Sequence, residues 1–232
     1  MADLFEYINL SETSLNIREV HTDPAEFLRN YREIPTLEKQ AYITHFIVSN
    51  GVYLFKDKPI LFERIIQYLS DNLNVAPVNI RLIGSAKTGF TISPEEFGKP
   101  YISENSDLDF SIFDQSLFTK LEDEFSRWST AYSSGDISPR NDHEEYYWNA
   151  NREHVPRILK KGFIDTNKIP NLSQFPITRK LNSSMFTIVN HLQALYSIRT
   201  KKATLRVYKD WNVFIRQLKL NTEYVLNQQS EP

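Results

Sequence analysis

The 232-residue chain is 41% hydrophobic and 24% charged, a balance that suits one sizeable core, or one core with a helical appendage. It has no cysteine, which excludes disulfide scaffolds and thiolate metal sites; no apolar run is bilayer-length, and Met1 to Asn9 is acidic, so a soluble cytoplasmic protein without a signal peptide is expected. The formal charge of -2 conceals an asymmetry, because residues 1–132 hold 12 Lys and Arg against 20 Asp and Glu, whereas residues 133–232 hold 15 against 9. Either the basic half attracts a polyanion such as RNA or a nucleotide, or the two halves attract each other.

In chain order, residues 1–22 show no clean periodicity. Asp23-Pro24-Ala25-Glu26 predicts a helix start, with an acid to cap free amides and proline in the first turn. A second helix is expected from about Thr36 to Asn50-Gly51, a dipeptide suited to a left-handed cap. Lys58-Pro59 opens a third, in which Leu61, Ile65, Leu69 and Leu73 recur every fourth residue and make an apolar stripe to lie on a sheet.

Val78 to Ile83 then predicts a short strand that runs into Gly84-Ser85, where a missing side chain lets backbone amides approach a ligand. Such a turn can hold phosphate oxygens. Phe90 to Asn105 loops out and, with its aromatics, two prolines and Gly98, predicts an ordered flap over the site. The next strand alternates, with Asp107, Asp109 and Ser111 on one side and Leu108, Phe110 and Ile112 on the other. Two adjacent carboxylates repel one another, so the acidic face calls for a cation between them, most naturally magnesium.

Leu117, Leu121, Phe125, Trp128 and Tyr132 predict a core-facing helix, and Ser133 to Pro139 a break and candidate hinge. Asn141 to Lys161 is expected to be helical in pieces around Pro156, followed by a short strand at Phe163-Ile164-Asp165. A helix over Ile177 to Ile198, a strand over Thr204 to Tyr208 and a helix over Trp211 to Leu220 complete the pattern. The five histidines show no metal-ligand spacing, and there is no P-loop or Gly-x-Ser-x-Gly elbow.

Gly84-Ser85 after one strand and Asp107-Leu108-Asp109 on the next together resemble the signature of the polymerase β-like nucleotidyltransferase superfamily. The motif covers about a seventh of the chain. The resemblance implies an α+β fold, in which a small mixed nucleotidyltransferase-type sheet carries N- and C-terminal helical additions. Residues 1–75 would be a helical layer, 76–132 the core, and 133–232 a helical part that returns a strand at about 204–208 to the core sheet. It also implies a nucleoside triphosphate gripped by Gly84 and Ser85, two magnesium ions held by Asp107 and Asp109, and transfer of a nucleoside monophosphate to an acceptor.

Lys87 and Thr88 are further candidates for the triphosphate, as is Arg206 for charge on the phosphates. A third carboxylate belongs on a strand beside the Asp-x-Asp strand; Asp210 and Asp165 are the candidates, although Asp210 serves equally well as a helix N-cap. RNA, a protein hydroxyl or a second nucleotide are acceptors in the superfamily. A compact chain looks most like its standalone toxin-antitoxin or phage-defence members, with a possible protein partner. The alternative is a catalytically silent nucleotide- or partner-binding module.

Overall fold

The computed structural model describes residues 4–18, 21–93 and 95–228. The fold is α+β, one four-stranded mixed sheet with helices on both faces. Two short helices, α1 (Leu4–Ile8) and α2 (Glu12–Asn16), precede α3 (Pro24–Glu33), whose first amides are capped by the Asp23 carboxylate at 2.8 and 2.9 Å. Helix α4 (Lys39–Ile43) widens directly into a π-helical turn, Thr44–Ser49, and ends at an Asn50 with φ -60 and ψ 169, which is extended. The left-handed end expected at Asn50-Gly51 is therefore absent, for a packing reason. The wider turn lets three successive apolar residues go inside: Phe46 and Ile47 join Phe27, Tyr31 and Tyr42, while Val48 reaches the sheet.

Helix α5 (Pro59–Leu73) buries Ile65, Ile66 and Leu69 and ends at a left-handed Asn74. Strand β1 (Ile80–Ile83) and the one-turn helix α6 (Ser85–Thr88) follow, then β2 (Leu108–Phe113). A helical hairpin, α7 (Gln115–Ser134) and α8 (Asp142–Lys160), leads to β3 (Phe163–Asp165), α9 (Pro176–Tyr196), β4 (Ala203–Tyr208) and α10 (Trp211–Gln228). The order across the sheet is β1-β2-β4-β3, with β2 and β4 parallel and both edge strands antiparallel to their neighbours.

Alternation gives the sheet two unlike faces. Ile80, Leu82, Leu108, Phe110, Ile112, Ile164, Leu205 and Val207 make one core with α5, α7 and α9. The other face is closed at one end by Phe214 and Ile215 of α10 and by Val48, packed on Phe113, Phe163 and Tyr208. Asp107, Asp109 and Thr204 lie at the opposite end of β2 and β4. Among the described residues no helix is long and apolar enough to cross a membrane.

Three local expectations are corrected. Helix α8 runs unbroken through Pro156, because Trp148, Asn151 and Val155 anchor one face while Arg152, whose carbonyl loses its partner, is exposed to water. The Ser133 to Pro139 break is a helix-hairpin turn held by aromatics rather than a hinge: Trp148 packs edge-on to Trp128 and Tyr132 at 5.8 and 5.1 Å, and the Tyr132 hydroxyl donates to Asn149 at 3.0 Å. The Phe90 to Asn105 segment sends its aromatic contacts to the helical layer, Phe90 to Phe27 at 5.8 Å and Tyr101 to Tyr53 at 6.4 Å. Its far end is tied to the loop before β4 by the Arg199–Glu104 ion pair at 3.0 Å.

Helix α9 depends on a distant carboxylate. Glu124 of α7, with its side chain 2% exposed, accepts hydrogen bonds from the amides of Ile177 and Thr178 at 2.8 and 2.9 Å. These are first-turn amides that a helix cannot satisfy internally. Glu124→Ala is expected to cost about 2–4 kcal/mol in urea unfolding, since two donors are left buried and unmatched, and Glu124→Gln about half as much because one acceptor remains. A negligible loss in Glu124→Gln beside a full loss in Glu124→Ala would show that the side-chain volume, and not the amide pairing, supports this junction.

Candidate functional site

The antiparallel pairing of β1 and β2 sets Ile83 against Asp109, so the residue after β1 arrives beside that carboxylate. That residue is Gly84, at φ +75 and ψ -165; a Cβ there would lie 2.8 Å from Asp109 Oδ2. Only glycine accepts both the backbone angle and the contact. The Gly-Ser turn and the second acid of Asp-x-Asp are thus brought together in space. The turn is also braced from behind, since the Thr88 hydroxyl lies 3.2 Å from the carbonyl of Gly84 and 2.6 Å from that of Phe90.

The two acids differ in environment. Asp109 Oδ1 accepts a hydrogen bond from the Thr204 hydroxyl at 2.6 Å, across the parallel pairing of β2 with β4. Burial pushes its carboxyl above the ordinary aspartate value; the Thr204 hydrogen bond opposes this and the Asp107 charge adds to it. Asp107 meets Lys202 Nζ at 3.4 Å through Oδ2, while its Oδ1 is buried and has no hydrogen-bond partner among the described residues. An orphaned carboxylate oxygen beside a second, desolvated acid is a strained anionic pair. Among the described residues no cluster of three or more His, Cys, Asp or Glu is arranged to hold a metal. The donor set suits a hard divalent cation bound through two carboxylates and completed by water and substrate phosphate, the usual manner of magnesium.

The other candidates are placed as follows. Asp210 lies past the end of β4, where Oδ1 accepts the amide of Val213 at 2.8 Å and caps α10. Asp165 sits on β3, two strands from β2, and is paired with Arg206 at 2.6 and 3.1 Å. Burial works against the Arg206 charge, but the hydrogen bonds and negative charges of Asp165 and Tyr208 together outweigh it and hold the guanidinium above its ordinary value. Neither acid is brought to the Asp107–Asp109 pair, and the position on β4 opposite Asp109 is held by Thr204. Lys87 is 2% exposed, and its ammonium donates to the carbonyl of Asn50. Ser85 begins α6 and remains partly exposed beside Gly84.

Two residues join the site that motif reading did not select, Thr204 and Lys202. Strand alternation alone puts Thr204 on the face opposite Leu205's partners in the core, but its bond to Asp109 depends on a register between segments 95 residues apart. Comparison of the chain with protein-family models, curated proteins and solved structures finds no match in any of the three.

Proposed function

We propose that the chain is a magnesium-dependent nucleotidyltransferase that moves a nucleoside monophosphate from a nucleoside triphosphate to an acceptor hydroxyl, which loses its proton as the α–β phosphoanhydride breaks and pyrophosphate leaves. The reading is carried by one observation: Gly84 meets Asp109 Oδ2 while Asp107 Oδ1, two residues earlier on the same strand face, lacks a hydrogen-bond partner among the described residues. In this reading Asp107 and Asp109 would hold the cation, and Thr204 fixes the Asp109 carboxylate by donating to its Oδ1. The missing side chain at Gly84 leaves room for a polyphosphate against the acids, with Ser85 adding a hydroxyl donor. When bound, the metal supplies charge neutralisation on the phosphates and a lowered pKa for the attacking hydroxyl. Lys202 neutralises Asp107 when no cation does.

A second reading is a nucleotide-binding module without transfer, favoured by Thr204 standing where a third carboxylate would belong. Incubation with α-labelled nucleoside triphosphates, magnesium and a cell lysate separates the two. Transfer of label to RNA, protein or a nucleotide, lost in Asp107→Ala, is the expected result. Magnesium-dependent triphosphate binding with no transfer would select the module, and absence of both would overturn each reading.

A further inference from the structure

The free edge of β1 borders a cavity of about 610 Å³, within the usual range for a small-molecule site. The cavity lies between α5, β1 and the segment that follows the π-helical turn, and none of Gly84, Ser85, Asp107, Asp109 or Thr204 lines it. Its walls are unlike. Phe55, Phe62, Ile66 and Val78 contribute to an apolar wall, with the Phe55 and Phe62 rings 5.5 Å apart. His21, Lys56, Arg81 and Lys87 supply cationic or protonatable groups, against one acid, Glu63.

Lys87 is the informative member. Its side chain is 2% exposed, and its hydrogen bond goes to a neutral backbone carbonyl, that of Asn50. A buried ammonium normally has an anionic partner, because a lone buried charge is costly. Here burial, and then the neighbouring Arg81 charge, lower the Lys87 pKa to about 8. His21 is likewise lowered, by burial and by the charges of Lys87 and Lys56. Cations from α6, β1 and the loop before α5 thus converge and repel one another around an open volume. An anion in that volume would reverse each of those repulsions.

We propose that this cavity binds a phosphomonoester bearing a flat apolar group, its phosphate on Lys87, Arg81 and Lys56 and its apolar end against Phe62 and Val78. The assignment is independent of the nucleotidyltransferase reading, since it shares no residue with the acidic pair. Calorimetric titration of the Asp107→Ala chain in EDTA, with phenyl phosphate, inorganic phosphate and phenol as separate probes, keeps the two sites distinguishable. The expected result is one phenyl phosphate per chain, at least tenfold tighter than inorganic phosphate, with no binding of phenol. In the same background, Lys87→Met removes a buried charge, so it is expected to melt no lower than its parent when ligand-free and to lose binding tenfold or more. The exposed Lys56→Ala, which does not disturb the core, is expected to weaken binding severalfold. Absence of phenyl phosphate binding, equal affinity for inorganic phosphate, or binding unchanged in both variants would overturn the proposal.

Discussion

Asp109→Asn is expected to reduce nucleotide transfer roughly a thousandfold or more while leaving the chain at least as stable as its parent at neutral pH. The first effect follows from charge, because in the proposed reaction several kcal/mol of phosphate neutralisation would depend on the carboxylates that would hold the metal. The second follows from the raised pKa of Asp109, whose first cause is burial. An acid raised on folding contributes stability that is present below the ordinary carboxylate range and lost as pH rises through its folded value. Towards neutral pH the parent loses that contribution, a loss asparagine does not share, and the advantage of the variant should vanish in acid, where both side chains are neutral. The Thr204 hydrogen bond can persist, as an amide oxygen also accepts. Melting curves with and without magnesium and triphosphate should show stabilisation in the parent alone. Transfer at the parental rate would remove Asp109 from the mechanism.

Gly84→Ala is expected to cost about 1–3 kcal/mol from backbone strain and to lose more activity than that destabilisation explains. At φ +75 the methyl group is strained on its own backbone, and at 2.8 Å from Asp109 Oδ2 it displaces the carboxylate. Gly135 provides the control. It has φ +81 but nothing within 4 Å of the place a methyl group would take, so Gly135→Ala carries the strain without the collision. For a chain of this size each kcal/mol corresponds to about 2–4 °C in melting temperature. Both variants should show such a drop, but transfer, assayed well below the melting range, should fail in Gly84→Ala alone. Equal activity in the two would mean that closeness of the turn to Asp109 has no catalytic consequence.

Much of the architecture was legible because its signals are local. The leucines of α5 and the alternation of β2 state which face is apolar, and Asp23-Pro24 marks the start of α3. What was illegible depended on partners far along the chain. Asn50-Gly51 has the composition of a helix cap, but tertiary packing of Phe46, Ile47 and Val48 imposed a π-helical turn. Pro156 removes one hydrogen bond from α8, but the freed carbonyl belongs to Arg152, which is exposed to water, and the helix continues. In the site, Asp165 and Arg206 were each legible as polar strand residues, but not as each other's partners, because the antiparallel pairing of β3 with β4 joins residues 41 apart in sequence. Lys87 follows Gly-Ser directly and suggested a phosphate contact; a single buried helical turn instead points its ammonium at Asn50.

The most direct test is diffraction from crystals of the chain grown with manganese and a non-hydrolysable nucleoside triphosphate, using the anomalous signal to place the ion. The account predicts a peak between the carboxylates of Asp107 and Asp109, with triphosphate oxygens beside Gly84 and Ser85. Triphosphate bound elsewhere, or a manganese peak away from both carboxylates, would contradict it.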